Sequence, residues 1–232
     1  MFNRVDKKPS KTISEKLILS KDSSEEVKEA YRKLRSAIAL ALHEESGKVI
    51  AVTSVNRREG KTLSAINIAI AFAQIGKKVL VIDGNLRNPC IHTVLKESRS
   101  PGLTDLVESG AALSSVIVYC KERDIEMIPA GSECDDPTRI FQSGAFRGLL
   151  HSVKDLYDYI LIDYPADSVA SDALIPAKMT DGYLLVVRAG ETERRSVLKF
   201  TKNVENVRGK IIGFVYNMGA PDERRNPYDI LY

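Results

Sequence analysis

The stretch Val49–Gln74, VIAVTSVNRREGKTLSAINIAIAFAQ, predicts the fold of this chain. Its apolar beginning indicates a buried strand, and its second half has the apolar pattern of a helix, with Glu59-Gly60-Lys61-Thr62 in the turn between them. A strand, a Gly-Lys-Thr turn and a helix, in this order, direct backbone N–H groups at a β-phosphate. In such a site Lys61 pairs with the β- and γ-phosphates and the Thr62 hydroxyl binds Mg²⁺. The order therefore predicts half of a nucleotide site.

The phosphate-loop pattern G-x-x-x-x-G-K-[ST] is nevertheless incomplete. Val55 stands where the first glycine belongs, and Arg57 and Arg58 fill the loop. Because Gly-Lys also ends helices and turns, a plain turn is the alternative interpretation of this segment taken alone. If the site exists, we expect the Lys61 side chain to face solvent while the loop is empty.

Two further apolar runs end on a carboxylate. The first, in Lys77–Arg87 (KKVLVIDGNLR), ends on Asp83, and the second, in Asp158–Pro165 (DYILIDYP), ends on Asp163. An Asp after a strand is often no more than the cap of the next turn. Ligands of an open parallel sheet, however, bind at the carboxyl ends of its strands. We therefore predict that both carboxylates and Lys61 converge on one crevice.

Composition indicates one compact domain of enzyme size. The 232 residues are 44% hydrophobic and 28% charged, which is enough to bury a substantial core. A net charge of +3, from 34 basic and 31 acidic side chains, argues against nucleic acid as a partner. The three cysteines are too few and too far apart for a disulfide framework or a metal knuckle. No apolar stretch has the roughly 20 residues of a membrane span, so we expect a soluble chain.

Strands and helices alternate along the chain. Strands are predicted at Val49–Thr53, Lys78–Ile82, Ile125–Ile128, Tyr159–Ile162, Gly182–Val187 and Ile211–Tyr216. Helices are predicted from Ser23 to about Glu45 and at Lys61–Gln74, Leu103–Ser109, Thr138–Asp155, Ser171–Met179 and Glu193–Val207. The apolar stripe of the first helix consists of Val27, Tyr31, Leu34, Ile38 and Leu42. Because the strands are apolar throughout, this alternation predicts an α/β fold, a mostly parallel sheet with helices on both faces. With the Gly-Lys-Thr turn after its first strand, such a sheet resembles that of P-loop NTPases.

The chain is predicted to have three segments. Residues 1–22 are predicted to form a flexible basic arm, in the first place a solvated tail and alternatively a segment that lies on an anionic membrane surface or an acidic partner. Residues 23–220 form the P-loop domain. Residues 221–232 form a polar tail that contains Tyr228 and Tyr232.

Six segments, in order from Glu29 onward, establish a family resemblance. They are EAYRKLRSAI at Glu29–Ile38, EGKT at Glu59–Thr62, VLVIDGNLRNPCIH at Val79–His92, GSECDDPTRIFQS at Gly131–Ser143, YDYILIDYPADSVASDA at Tyr157–Ala173 and IIGFVYNMG at Ile211–Gly219. With them the chain resembles the bacterial tyrosine kinases of capsule and exopolysaccharide synthesis, the P-loop kinases of the CpsD/CapB/Wzc type. They look like the family's E-x-x-R-x-x-R segment, the end of its Walker A, its Walker A′, its G-x-x-x-x-N-P-x-E-L-L-x-S segment, its Walker B and the strand whose Asn contacts the base.

The resemblance implies an autophosphorylating protein-tyrosine kinase that uses ATP and Mg²⁺ and regulates capsular or extracellular polysaccharide synthesis. The implied catalytic residues are Lys61, Asp83 and Asp163. The implied nucleotide-binding residues are Glu59, Gly60, Lys61, Thr62, Leu63 and Asn217, and the implied metal ligands are Thr62, Asp83 and Asp163. Asp83 would accept the proton of the tyrosine hydroxyl.

The resemblance also implies an assembly. Glu29, Arg32 and Arg35 match the segment that joins subunits into a ring, although their spacing alone fits an exposed face with internal ion pairs. Tyr228 and Tyr232 would be the phosphoacceptors in a neighbour's site, or else chance residues of a short tail. The implied partners are other copies, tyrosine-containing proteins and the cytoplasmic segment of a membrane-bound co-polymerase or adaptor of the Wzz/CapA type. The chain is then expected in the cytoplasm, at the inner face of the plasma membrane.

Departures from the family pattern leave alternatives open. Arg57 and Arg58 replace the usual Pro-Gly, which costs about 1 kcal/mol if position 58 requires a positive φ. Asn85 replaces a common second Asp and accepts no proton, so Asp83 must be the base. One alternative is a nucleotide-binding pseudokinase that acts as partner of a co-polymerase. The other is a ParA/MinD-type positioning ATPase, whose signature lysine is replaced here by Asn56.

Overall fold

The structure is a computed structural model that describes residues 17–42, 47–168 and 171–219, without the side chains of residues 171–173 and 176. Its helices are α1 (Glu25–Leu42), α2 (Lys61–Ala73), α3 (Ile91–Leu95), α4 (Leu103–Ser109), α5 (Leu113–Val116), α6 (Pro137–Gln142), α7 (Gly144–Lys154) and α8 (Arg194–Asn206). Its strands are β1 (Lys48–Ser54), β2 (Val79–Asp83), β3 (Val118–Cys120), β4 (Ile125–Ile128), β5 (Tyr159–Asp163), β6 (Gly182–Arg188) and β7 (Ile211–Asn217). A 3₁₀-helix occupies Ser171–Met179.

The seven strands form one sheet in the order β3-β4-β2-β5-β1-β6-β7. Every neighbouring pair is parallel except β3 and β4, which are antiparallel. The predicted α/β fold with a mostly parallel sheet is therefore confirmed. Strands β1, β2 and β5 lie side by side at its centre, in a register that sets Asp83 opposite Asp163. This register places both carboxylates at one edge of the sheet, next to the loop that follows β1.

Helices cover both faces of the sheet, each over its own apolar cluster. Helix α2 is central on one face, and its residues are buried almost all round, as expected of a helix that is apolar on every side. Its Phe72 stacks on Tyr159 of β5 with 3.8 Å between ring centroids. Helices α6, α7 and α8 supply side chains such as Phe146 and Phe200 to the opposite face. The two packed faces hold the strand ends rigidly at the edge where the site lies.

The six predicted strands are confirmed to within one residue at each end, but several predicted helices differ from those of the structure. The predicted helix Thr138–Asp155 is two helices, because the Ser143 hydroxyl accepts a hydrogen bond from Phe146 N–H and begins α7 anew. Segment Ser171–Met179 is 3₁₀ rather than α-helical. The short elements α3, α5 and β3 were not predicted. Each has three to five residues, too few to show a clear apolar period.

The beginning of the described chain corrects two further predictions. Ile18 and Leu19 are buried, and Asn67 of α2 bonds the backbone of residues 17 and 19, accepting from Leu19 N–H at 2.8 Å. The boundary predicted at residue 22 is therefore too late, because these apolar residues pack on the domain. On α1, Val27 is exposed rather than part of the buried stripe. Residues 1–16 and the predicted tail with Tyr228 and Tyr232 lie outside the described residues.

Candidate active site

The phosphate-loop segment connects β1 to α2 through residues 55–60. Val55, at the place of the missing first glycine, is buried and does not have a positive φ, so a glycine is not required there. Arg58 has φ 65° and Gly60 has φ 90°. The departure from the family pattern at residue 58 therefore puts a strained arginine in the loop, at a cost of about 1 kcal/mol.

At the N-terminus of α2, the carboxylate of Asp163 contacts both Lys61 and Thr62. Lys61 Nζ lies 3.0 Å from Asp163 Oδ1, and the Thr62 hydroxyl donates to Asp163 Oδ2 at 2.6 Å. The Lys61 side chain is only 12% exposed and Asp163 is fully buried. Our expectation of a solvent-facing Lys61 is therefore wrong. The reason is that a buried carboxylate requires a paired charge or hydrogen bonds, and Lys61 is the cation within reach.

Asp83 lies beside Asp163 and has no exposed surface. Its Oδ1 accepts from Asn85 N–H at 3.2 Å, and its Oδ2 accepts from Cys90 N–H at 3.1 Å and Ile91 N–H at 3.0 Å. Burial, followed by the repulsion of Asp163, raises the pKa of Asp83 to about 7. The predicted convergence of Lys61 and the two carboxylates is therefore found. The segment from residue 85 to 91, however, covers Asp83.

Two residues of that covering segment also contribute side chains. Asn85 is buried, and its Nδ2 donates to Asn88 O at 2.8 Å, so it is part of the local turn. Cys90 Sγ lies 3.5 Å from the Thr62 hydroxyl. Burial and the nearby Asp163 raise the pKa of this thiol to about 11, which makes it an unreactive neutral group at pH 7. Cys90 was not predicted as a site residue, since no motif marks it.

Glu59 and Asn217 hold the loop from the opposite side. The Glu59 side chain is buried, and its Oε2 accepts from Asn56 N–H at 2.9 Å. Its Oε1 accepts from the Asn56 amide and from the Thr192 hydroxyl. Asn217 Nδ2, at the end of β7, donates to Glu59 O at 2.9 Å. A Cβ on Gly60 would lie 2.1 Å from this nitrogen, so the approach requires glycine. Thr192 was missed because it is 133 residues away in the sequence.

The donor set of the site fits Mg²⁺ with nucleotide better than a metal held by protein alone. Among the residues that the structure describes, no three His, Cys, Asp or Glu side chains are grouped so as to hold a metal ion. Mg²⁺ typically takes one or two protein oxygens and completes its shell with phosphates and water. The Thr62 hydroxyl and the Asp163 carboxylate are such oxygens, and they already lie in contact.

The three α1 residues predicted to join subunits do not share one exposed face. Arg32 and Glu29 are exposed and lie 3.4 Å apart. Arg35 is partly buried, and its Nη1 donates to Ala71 O at 2.9 Å, near the C-terminal end of α2. The prediction that all three lie on one surface is thus corrected for Arg35, which bonds within the subunit.

No helix in the described parts of the chain is long and apolar enough to cross a membrane.

Comparisons with known proteins agree on one family. A family model described as "AAA domain" matches residues 47–212. Tyrosine-protein kinase YwqD of Bacillus subtilis (strain 168) is 30% identical over 82% of this chain and 80% of its own. Tyrosine-protein kinase CpsD of Streptococcus pneumoniae serotype 4 is 35% identical over 73% and 75%. The crystal structure of the chimerical protein CapA2B2 superposes with a TM-score of 0.81, at 26% identity, over 88% of this chain and 90% of that one.

This chain belongs to the AAA-domain P-loop proteins and, among them, to the bacterial tyrosine-protein kinases. The resemblance based on the six motifs is confirmed. A positioning ATPase fits less well, because both curated relatives are named tyrosine-protein kinases and Asn56 occupies the place of that class's signature lysine.

Proposed function

We propose that this bacterial tyrosine-protein kinase transfers the γ-phosphoryl group of ATP to tyrosine hydroxyls, its own included. By this activity it regulates the synthesis of a capsular or extracellular polysaccharide. The observation that supports the activity most directly is the contact of Lys61, Thr62 and Asp163 at the N-terminus of α2. A cation, a hydroxyl and a carboxylate at a helix N-terminus are the groups that a Mg²⁺-polyphosphate site requires.

The phosphates would lie against the N-terminus of α2. Backbone N–H groups from Glu59 to Thr62 would hold the β-phosphate there, and Leu63 completes the proposed nucleotide-binding set. Lys61 would pair with the β- and γ-phosphates in place of Asp163, and Thr62 and Asp163 would hold Mg²⁺. When bound, Mg²⁺ neutralises charge that develops on the phosphate oxygens. Asn217, whose amide lies at the loop, contacts the base.

Asp83 is the proposed general base, and it would also help Thr62 and Asp163 to hold Mg²⁺. A phenol has a pKa near 10, so a base that is unprotonated near neutral pH helps the tyrosine to attack. The raised pKa of Asp83, about 7, suits this task. In the structure the N–H groups of Asn85, Cys90 and Ile91 occupy its oxygens. The covering segment must therefore move aside before a tyrosine hydroxyl reaches this carboxylate.

The acceptors and partners follow from the family pattern. Tyr228 and Tyr232 are the proposed phosphoacceptors, presented to the site of a neighbour in a ring of copies joined through the exposed residues Glu29 and Arg32. The solved neighbour CapA2B2 is a chimera, which supports a CapA-like adaptor as partner. The adaptor's cytoplasmic segment would place the kinase in the cytoplasm, at the inner face of the plasma membrane.

One experiment tests the activity against both alternatives. The purified chain is incubated with Mg·ATP, with and without the cytoplasmic segment of its adaptor, and is assayed for phosphotyrosine and for free phosphate. We expect phosphotyrosine that is lost in a Tyr228→Phe/Tyr232→Phe variant and in Lys61→Met. A chain that binds ATP but forms no phosphotyrosine under either condition is a pseudokinase. Release of phosphate without phosphotyrosine would instead indicate an ATPase.

A further inference from the structure

Glu59 is an unusual group for a loop that binds phosphate. Its side chain is 3% exposed and lies in the segment that is proposed to hold a polyphosphate. A carboxylate near phosphates repels them, so its charge alone weakens nucleotide binding. Arg57 and Arg58 of the same loop are exposed, whereas Glu59 is directed inward. A buried acidic group in this place requires a different explanation.

The contacts of Glu59 supply that explanation. Its carboxylate accepts from both nitrogens of Asn56, at 2.9 and 3.0 Å, and so closes the loop on itself. The same carboxylate accepts from the Thr192 hydroxyl, which in turn accepts from Arg188 N–H at 2.7 Å. Arg188 ends β6 and Thr192 lies in the turn before α8. Glu59 therefore connects the phosphate loop to the neighbouring turn of the sheet edge.

A second connection runs parallel to the first. Asn217 O accepts from Ala189 N–H at 2.9 Å, and Asn217 Nδ2 donates to Glu59 O at 2.9 Å. The turn after β6, the end of β7 and the loop are thus bonded to one another. The loop needs such support because Arg58 and Gly60 both have positive φ, and only a glycine adopts that conformation without strain.

We propose that Glu59 and Thr192 are positioning residues for the nucleotide: their link holds the phosphate loop in the shape in which its N–H groups meet the β-phosphate. The proposal rests on the proposed function, because it assumes that the loop binds nucleotide. Its physical basis is preorganisation, since a loop already held in its bound shape loses less entropy on binding. The link acts on affinity for any nucleotide that contains a β-phosphate, so ADP and ATP are affected alike.

Glu59→Gln separates positioning from charge. If Glu59 acted only through its charge, the neutral Gln would tighten ADP binding. If it positions the loop, Gln weakens binding, because its amide cannot accept from all three donors. We expect a dissociation constant for ADP several-fold higher than native, measured by calorimetry well below each variant's melting temperature. A Glu59→Gln variant that binds ADP as tightly as the native chain, or more tightly, would overturn the proposal.

Thr192 offers a matched set of variants. Thr192→Val keeps the shape but removes the hydroxyl, and we expect about tenfold weaker ADP and ATP binding, the effect of one hydrogen bond to a charged group. Thr192→Ser retains the hydroxyl and should bind within twofold of native. Thr201→Val is the control, since its hydroxyl donates to Val197 O within α8. In the kinase assay Thr192→Val should raise the KM for ATP about tenfold and leave kcat within twofold.

A double variant tests the link itself. Once Glu59→Ala has removed every acceptor of the side chain, adding Thr192→Val should change ADP affinity by less than twofold, because the two residues act through one contact. Fully additive losses, or an equal loss in Thr201→Val, would contradict the link. Failure of the wider function is distinguishable. If the native chain binds no ADP, or binds it as well with Lys61→Met, then the nucleotide site itself is wrong. If those two controls behave as expected and Thr192→Val binds normally, only the link fails.

Discussion

Two ion pairs of this molecule have similar distances between their charged atoms but differ greatly in their exposure to water. At the sheet edge, Lys61 and Asp163 lie 3.0 Å apart with 12% and 0% of their side chains exposed. On α1, Arg32 and Glu29 lie 3.4 Å apart with 49% and 51% exposed. Water screens the α1 pair, so it contributes at most a few tenths of a kcal/mol. In the buried pair each side chain is the counter-ion of the other. Removing one leaves the other as an unpaired buried charge, which destabilises the fold.

The comparison shows that distance alone does not rank charged contacts. Substitutions at the sheet edge are expected to change folding and chemistry together, whereas substitutions on the exposed part of α1 should leave the subunit intact. Any effect of a substitution on the exposed part of α1 then reports on assembly of the subunits.

The largest effect is expected for Lys61→Met. The variant should lose measurable ATP binding, and its melting temperature should fall by roughly 5–10 °C, because Asp163 stays buried without its cation. Lys77→Met is the matched control. Lys77 pairs with Asp158 at 3.1 Å but is 45% exposed, so its loss should shift melting by no more than about 2 °C. Unchanged ATP affinity in Lys61→Met would end the phosphate-loop assignment, and equal melting shifts would contradict the contrast.

Asp83→Asn should lower the rate of phosphotyrosine formation by at least about 10²-fold, as expected for loss of a general base, with a smaller effect on nucleotide binding. It should also change the pH dependence of folding. The pKa of Asp83 is raised to about 7, so the protonated form is favoured in the fold. The stability gained from protonated Asp83 is complete below about pH 4, the ordinary pKa of an Asp side chain. It is lost as the pH rises through about 7, the pKa of Asp83 in the fold.

The measurement is the melting temperature of the native chain and of Asp83→Asn between pH 4 and pH 8, without nucleotide. The native value should fall over this range by more than that of the variant, in which the titrating group is absent. Parallel curves would show that Asp83 does not titrate as its burial requires. Kinase activity that survives in Asp83→Asn would place the base elsewhere.

Arg58→Gly should stabilise the chain by roughly 0.5–1 kcal/mol, because glycine adopts φ 65° without strain. Arg57→Gly removes the same charge at a residue without a positive φ, and it should be neutral or destabilising by a similar amount. Melting temperatures of the two variants should therefore differ by a few degrees, with Arg58→Gly the higher. The reverse order would mean that the loop conformation at residue 58 is wrong.

The smallest effect on stability is expected for Arg32 of α1. Arg32→Ala should change the free energy of unfolding by less than about 0.5 kcal/mol. Arg35→Ala should cost about 1 kcal/mol, because it removes the bond to Ala71 O. If the ring is real, light scattering should show that Arg32→Ala is smaller than native at an unchanged melting temperature. An Arg32→Ala variant that stays fully oligomeric would separate this residue from assembly. Arg35 is a poor probe, since its loss weakens the subunit itself.

The sequence determined most of the fold and the identity of the main polar groups. Apolar runs marked the six longer strands to within a residue, because a parallel strand is covered by helices and is apolar almost throughout, even where, as in β7, it is only partly buried. The strand ends at Asp83 and Asp163 and the Gly-Lys-Thr turn predicted one shared edge, since parallel strands present their carboxyl ends together. The order of motifs identified the family. Short elements such as α3 and β3 could not be predicted, because a few residues are too short to show the apolar period of a helix or a strand.

Only the tertiary structure decided which partners these groups take. Lys61 turns inward to a buried carboxylate, backbone N–H groups cover Asp83, and Arg35 bonds Ala71 O in the neighbouring helix. Thr192 meets Glu59 across 133 residues of chain. Local periods encode strands and helices because they depend on neighbours in sequence. Polar contacts depend on which groups lose water together when distant segments pack, and no local pattern contains that information.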